Sequence, residues 1–276
     1  MAGKIITLTT DFGRADSYVG AMKGVILSLA PDAVVVDISH EIEPQNVRQG
    51  AFVLYSACPF FPPGTIHVAV VDPGVGSERW ALAVRTEKAI FLAPDNGLLS
   101  YILAEELTGK ILEAVHLTEG HYWLPRVSRT FHGRDIFAPV AAHLARGVPL
   151  SALGQPLADL FLFPFPRPRI LNANTLLGHI IYIDRFGNLI TSFRFEEGRI
   201  PTEEGAVEIP PSSRMVVELH GRRISGIKES YVAGQKGEFL ALTGSSGHLE
   251  IAISGGNAAE ALRAGPEDEV ILKIKP

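Results

Sequence analysis

The sequence predicts an α/β N-terminal domain with a largely parallel sheet, followed by a small all-β, barrel-like C-terminal domain. Three observations predict it. Apolar β runs alternate with segments of helical periodicity through the first half. The second half holds only short β runs separated by turn residues. Between them lies LFLFPFPRPR, where Pro164, Pro166 and Pro168 forbid regular helix and disfavour a central strand. The expected boundaries are residues 1–163, a proline-rich linker at 164–172, and residues 173–276.

In the first half, Lys4–Leu8 reads as a β run ending in Thr9, Thr10 and Asp11. Tyr18–Leu29 has helical spacing, with Met22, Val25, Ile26 and Leu29 on one side and Pro31 just beyond as a stop. Ala33–Ile38 and Ile66–Val71 are continuous apolar runs, as expected of strands buried on both faces. Asn46–Cys58 reads as helix, Trp80–Arg85 and Ala89–Ala93 as strands, and Asn96–Leu107 and Ile136–Arg146 as helices. In the second half the β runs are Thr175–Asp184, Leu189–Phe195, Ala206–Ile209, Arg214–Leu219, Phe239–Thr243 and Leu249–Ile253.

Composition narrows the function. Of 276 residues, 46% are hydrophobic and 20% charged, enough apolar material for a sizeable core. A net charge of −5 argues against a nucleic-acid binder, which carries a basic face. The lone cysteine, Cys58, excludes an intrachain disulfide and lies in an apolar stretch, where a thiol is inert. The N-terminus lacks a signal-peptide pattern, and no apolar run reaches the roughly 18–20 residues that span a bilayer, so a cytoplasmic location is expected.

Four segments cluster polar residues at the ends of apolar ones: TTDFGRADSYVG with Asp11 and Asp16, VVDPGVGSERW with Asp72 and Arg79, APDNGLLS with Asp95 and Asn96, and VSRTFHGRDIF with His132, Arg134 and Asp135. Each has a structural alternative: a helix cap for Asp11 or Asn96, a turn for Asp72, a buried satisfied ring for His132. The placement of Asp11 and Asp72 just past strand ends points the other way, because ligands bind beyond the carboxyl ends of such strands. Two carboxylates five residues apart, Asp11 and Asp16, suit a ligand with hydroxyls or an ammonium group. The sequence has no GxGxxG, Walker loop, HExxH or GxSxG pattern, and its nine histidines have no metal-ligand spacing. No cofactor and no metal are expected.

Taken together, and in this order, the segments resemble the S-adenosylmethionine hydrolase (adenosine-forming) family, also described as S-adenosylmethionine hydroxide adenosyltransferases, relatives of fluorinase and chlorinase. IDRFGNLITS and TGSSGHLEIAISGGNAAEAL extend the resemblance over nearly the whole chain. It implies a homotrimer, with each site between the N-terminal domain of one subunit and the C-terminal domain of its neighbour. It implies that S-adenosylmethionine is the substrate, that Asp11 binds the ribose hydroxyls, and that Asp16 and Asp184 bracket the methionine ammonium. Ser245 and Ser246 would hold the methionine carboxylate, Asn188 and the backbone near Ala258 the adenine edge, and Tyr231 would stack on adenine. Asn96 belongs to the same implied binding set. At the nucleophile site the resemblance gives Asp72, Arg79 and His132; the halogenases carry tyrosine where Asp72 stands, and the fluorinase serine where Gly133 stands. A carboxylate there repels halide and orients water, so hydrolysis is the expected reaction. A halogenase and a non-catalytic S-adenosylmethionine sensor are the alternatives. Which of Asp72, Arg79 and His132 takes the proton from water is open at this level.

Overall fold

The computed structural model describes residues 4–104 and 108–275. Contacts divide the chain into two units between Phe165 and Pro166.

In the first unit the elements run β1 (Ile5–Thr10), α1 (Tyr18–Leu29), β2 (Val34–Ser39), α2 (Val47–Ala57), β3 (Thr65–Val70), β4 (Ala81–Thr86), β5 (Ala89–Pro94), α3 (Ser100–Ala104), β6 (Ile111–Leu117), α4 (Ala138–Ala145) and β7 (Gly154–Pro156). They form a seven-stranded sheet of order β2-β1-β3-β5-β4-β6-β7. The β1–β2, β1–β3 and β3–β5 pairs are parallel, whereas β4–β5, β4–β6 and β6–β7 are antiparallel. The expected largely parallel sheet is therefore mixed. The reason is legible at residues 87–88: two residues between β4 and β5 can close a hairpin but cannot carry a parallel crossover.

Burial explains the order. Every residue of β3 is buried, and β1 buries five of six, so the β1–β3 pair forms the middle of the core. Val19, Met22 and Ile26 fix α1 to this sheet at helical spacing, alongside Phe137, Val140 and Ala141 from the chain around α4. The Asn46 side chain caps α2 by accepting from Gln49 N–H at 3.0 Å. The helix expected over Asn96–Leu107 begins only at Ser100 in the described chain; residues 105–107 lie outside the described residues. The register pairs Thr10 with Val70, so Asp11 and Asp72 leave the sheet at the same carboxyl end.

The second unit contains β8 (Arg169–Asn172), β9 (Thr175–Ile183), β10 (Leu189–Arg194), β11 (Arg199–Thr202), β12 (Gly205–Glu208), β13 (Met215–Leu219), β14 (Arg222–Ser225), β15 (Phe239–Thr243), β16 (His248–Ile253), α5 (Ala258–Leu262) and β17 (Glu269–Ile274). Seven strands follow the order β14-β13-β17-β9-β10-β16-β15, and β8 adds to β9. All these pairs are antiparallel. Beyond β14, Lys228 N–H donates to Ala241 O of β15 at 2.7 Å, which nearly closes the sheet into a barrel around Phe193, Leu189, Val217 and Leu272. The β run at 206–209 lies outside this barrel, in a separate hairpin of β11 and β12. The expected linker at 164–172 is too long. Its last four residues are β8, which starts directly after Pro168 and pairs with β9, so the β unit begins earlier than residue 173. Among the described residues no helix is long and apolar enough to cross a membrane.

Candidate active site

At the carboxyl end of the first sheet, β3 delivers Asp72 into the Pro-Gly turn that follows Val71. The Asp72 side chain is 3% exposed and that of Arg79 11%. Arg79 Nε donates to both carboxylate oxygens of Asp72, at 3.0 and 2.9 Å, and Nη2 contacts Oδ2 as well. The same Nη2 lies 2.8 Å from Nδ1 of His132. A guanidinium has only donors, so Nδ1 must accept, and the proton of a neutral His132 ring sits on Nε2. Burial and the Arg79 charge push the His132 pKa down, against Asp72, Asp135 and the Ser128 backbone, which keeps the ring neutral near pH 7.

Two loops bring these groups together, and both are tightly specified. Gly76 sits at φ +77°, and a Cβ there would lie 2.2 Å from the Arg129 carbonyl oxygen, so only glycine lets the 72–79 loop rest on the 128–132 loop. Asp135, fully buried, ties the second loop. Burial alone would raise its pKa, but hydrogen bonds from Arg134 Nε at 2.6 Å and from Ser128 N–H and Oγ at 2.8 and 2.7 Å outweigh that and lower it. His132 precedes a single π turn, Gly133–Phe137, which leads into α4; such turns often occur at functional sites. A Cβ on Gly133 would come within 3.3 Å of Met22 Sδ and the Phe12 ring, so this position has little room to grow.

Asp11 emerges from β1 half-buried, and its Oδ2 accepts Gln45 N–H at 2.8 Å. Asp16 is exposed, one residue before the Ser17 cap position of α1. Asn96 turns into its own chain: Nδ2 donates to Val71 O at 2.8 Å and Oδ1 accepts Leu98 N–H at 3.2 Å. It thereby anchors the end of β3 directly before Asp72, a supporting contact rather than an outward-facing one.

In the second unit, Asp184 follows β9 and shapes the turn into β10. Its Oδ1 accepts the N–H groups of Phe186 and Asn188, both at 2.9 Å, and its Oδ2 accepts Asn188 Nδ2 at 2.8 Å. Gly187, at φ +82°, packs on the Asn257 side chain, and Ala259 N–H donates to Gly187 O, which seats Ala258 and the start of α5 beside this turn. Ser245 and Ser246 are the central residues of the 244–247 turn joining β15 to β16. Tyr231, 43% exposed, donates its hydroxyl to Glu250 Oε2 at 2.6 Å. Sequence reasoning missed Glu250. The signal was a carboxylate inside the apolar strand LEIAI; the structure buries it, and burial together with the Asp184 charge raises its pKa against the Tyr231 hydrogen bond. A Cβ on Gly244 would fall 1.7 Å from Glu250 Oε1, so glycine makes room for the acid.

Cys58 is 2% exposed, and burial pushes its thiol up to about 12, the behaviour of a packing residue. Among the described residues no three His, Cys, Asp or Glu side chains gather as a metal-binding group.

Comparison with known proteins bears on both units. Residues 6–154 match the model of the SAM hydroxide adenosyltransferase N-terminal domain, and residues 178–271 that of its C-terminal domain. The chain belongs to the SAM hydroxide adenosyltransferase family. Relatives of this family member named (R)-S-adenosyl-L-methionine hydrolase include one from Salinispora tropica, 36% identical with 96% of each chain covered. Another, from Methanocaldococcus jannaschii, is 37% identical over 96% of this chain and 94% of the relative. A fluorinase from an Actinoplanes species is 28% identical, with 90% of each chain covered. Among solved structures, an uncharacterized conserved protein from Thermotoga maritima is similar with a TM-score of 0.86 and 34% identity, over 98% of this chain and 99% of that one.

Proposed function

We propose that this chain hydrolyses S-adenosyl-L-methionine to adenosine and L-methionine by in-line attack of water on the ribose 5′ carbon. The observation that carries the proposal is the hydrogen-bonded Asp72–Arg79–His132 set, assembled at the carboxyl end of a parallel strand pair. Membership of the hydroxide adenosyltransferase family supports the same reading.

The C5′–S bond breaks with its electron pair going to sulfur, so the sulfonium leaves as a neutral thioether and needs neither acid nor metal to leave. A C5′–O bond forms from water, and one proton must be lost. Asp72 orients that water through Oδ1, which keeps a lone pair beyond the one used by Arg79 Nε, whereas Oδ2 already accepts from both Nε and Nη2. His132 supplies a donor at Nε2, because Nδ1 is engaged by Arg79. Asp72 is therefore the group that accepts the proton. It does so late, when the attacking oxygen has become strongly acidic and a weak base suffices. Fixing water and carbon at about 3–3.5 Å removes much of the entropic barrier.

Around the reacting atoms, Asp11 takes the ribose diol, and Asp16 and Asp184 the methionine ammonium. Ser245 and Ser246 take the methionine carboxylate. Asn188, its amide nitrogen turned to Asp184, offers Oδ1 to the adenine amino group beside Ala258, and Tyr231 stacks on the base. Family resemblance favours a homotrimer in which more than one subunit completes each ligand site. The test is incubation with S-adenosylmethionine, with and without chloride and a chelator, followed by chromatography. Adenosine and methionine should appear in equal amounts in every arm. Chlorinated deoxyadenosine as the main product, or loss of turnover with chelator, would overturn the proposal.

A further inference from the structure

Behind Asp11 lies a buried polar chain that the proposed chemistry does not use. His40 is 1% exposed. Its Nδ1 lies 2.8 Å from Thr10 Oγ1, and its Nε2 lies 3.1 Å from Asp37 Oδ1. The Nε2 contact is off the line of a well-formed hydrogen bond, yet among the described residues no other acceptor reaches that nitrogen. The carboxylate therefore holds the ring proton on Nε2, leaving Nδ1 to accept from the Thr10 hydroxyl. Lys23 Nζ, 2.7 Å from Asp37 Oδ2, balances the charge. Thr10 Oγ1 in turn accepts Phe12 N–H at 3.3 Å, and the His40 carbonyl accepts Gly13 N–H at 2.7 Å. His40 thus grips the chain on both sides of Asp11, once through its ring and once through its backbone. Gln45, five residues after His40, holds the Asp11 carboxylate itself from φ +69°.

We infer that Asp37, His40 and Thr10 are positioning residues for the Asp11 carboxylate, fixing the direction in which it meets a ligand diol. Thr10 and His40 are too deeply buried to touch ligand, so they act only through the 10–13 segment. The inference rests on the reading that Asp11 binds the ribose, and the experiment separates the two. Asparagine at position 40 places an oxygen where Nδ1 accepts; glutamine places its amide near Nε2 and offers Thr10 nothing. Thr10→Val keeps the shape and removes the hydroxyl, while Thr10→Ser restores it.

Adenosine affinity by calorimetry, KM and kcat, and Tm would be measured for all four variants and for Asp11→Ala. Thr10→Val and His40→Gln should weaken adenosine binding roughly threefold to tenfold, the size of a lost neutral hydrogen bond. The loss should fall on KM and not on kcat. Thr10→Ser and His40→Asn should recover most of the affinity. If His40→Gln does not fold, the Thr10 pair decides. A folded Thr10→Val protein that binds adenosine as the parent does, with only its Tm lowered, would overturn the inference while leaving Asp11 in its role. Unchanged adenosine affinity in Asp11→Ala would overturn both together.

Discussion

The two units solve the problem of burying charge in opposite ways. In the first, Asp72 is matched by Arg79, which also hydrogen-bonds a neutral His132, so the cluster is close to electrically balanced. In the second, Asp184 and Glu250 are both acidic, and Tyr231 contributes a neutral hydroxyl whose pKa is raised by burial, then by the Glu250 hydrogen bond and by the charges of Glu250 and Asp184. A balanced set can orient a neutral nucleophile without attracting stray ions. An acid-rich set leaves negative potential for a cationic ligand to satisfy. If the proposed roles hold, chemistry and capture place different demands on buried charge.

The strongest attack on this contrast is at the balanced cluster. Asp72→Asn keeps the size of the side chain but leaves Arg79 uncompensated, and single-turnover rates should fall about 10²–10⁴-fold with little change in substrate affinity. A fall within threefold would mean that Asp72 does not activate water.

Next in size is acid stability, because each unit also buries a histidine that stays neutral. Burial lowers His67, hydrogen-bonded to Thr7, and His248, bonded to the Thr191 carbonyl, each to about 4. A histidine whose folded pKa lies below its unfolded value near 6.5 stabilises the fold above 6.5 and loses that contribution as pH falls toward 4. Each shift corresponds to a few kcal/mol, on the order of 3. Chemical unfolding should show this drop between pH 6.5 and 4, and His67→Gln should remove roughly half of it. A stability flat across that window would show that neither ring is kept neutral by the fold.

Gly76→Ala sharpens the comparison by separating geometry from charge. The methyl group collides with the Arg129 carbonyl at an unfavourable positive φ, so stability should fall by about 2 kcal/mol or more, with slower turnover as Arg79 and His132 move apart. Equal Tm and rate would show that the loop contact holds neither the fold nor the Arg79–His132 spacing. The smallest effect belongs to the acid-rich cluster. Because the folded pKa of Glu250 is raised, its stabilising contribution is present at low pH and lost as pH rises through that value. Glu250→Gln keeps an acceptor for Tyr231 and removes the charge. Near pH 7 it should raise Tm by on the order of a degree or two while weakening substrate binding; a lower Tm would show that the acid is well compensated.

The sequence made the strand–helix alternation of the first unit readable, including α1 to the residue, because its apolar spacing and Pro31 stop are local signals. The antiparallel half of the first sheet was not read, although the two-residue gap at 87–88 already required a hairpin. β8 was hidden by the prolines before it, and β17 and β14 by their mixture of charged and apolar residues. Of the site, Asp72, Arg79 and His132 lie in hydrogen-bond contact, although 53 residues separate Arg79 from His132. Asn96 was legible as a polar residue after a strand, but not its inward turn toward Val71, which depends on a neighbouring strand end. Glu250 and His40 were missed for a shared reason: each is defined by a partner distant in sequence, Tyr231 for one and Thr10 for the other.

Gly76 rests against the Arg129 carbonyl, where any side chain would collide. Arg79 and His132 are thereby held by loops braced against each other through the chain's own contacts, so their spacing is set during folding. In the proposed hydrolysis, a water entering beside Asp72 meets dipoles already aimed at it, and little reorientation remains to be done as charge shifts from oxygen to sulfur. Preorganisation of this kind leaves the ligand contacts one remaining task, to hold the ribose carbon in line with that water.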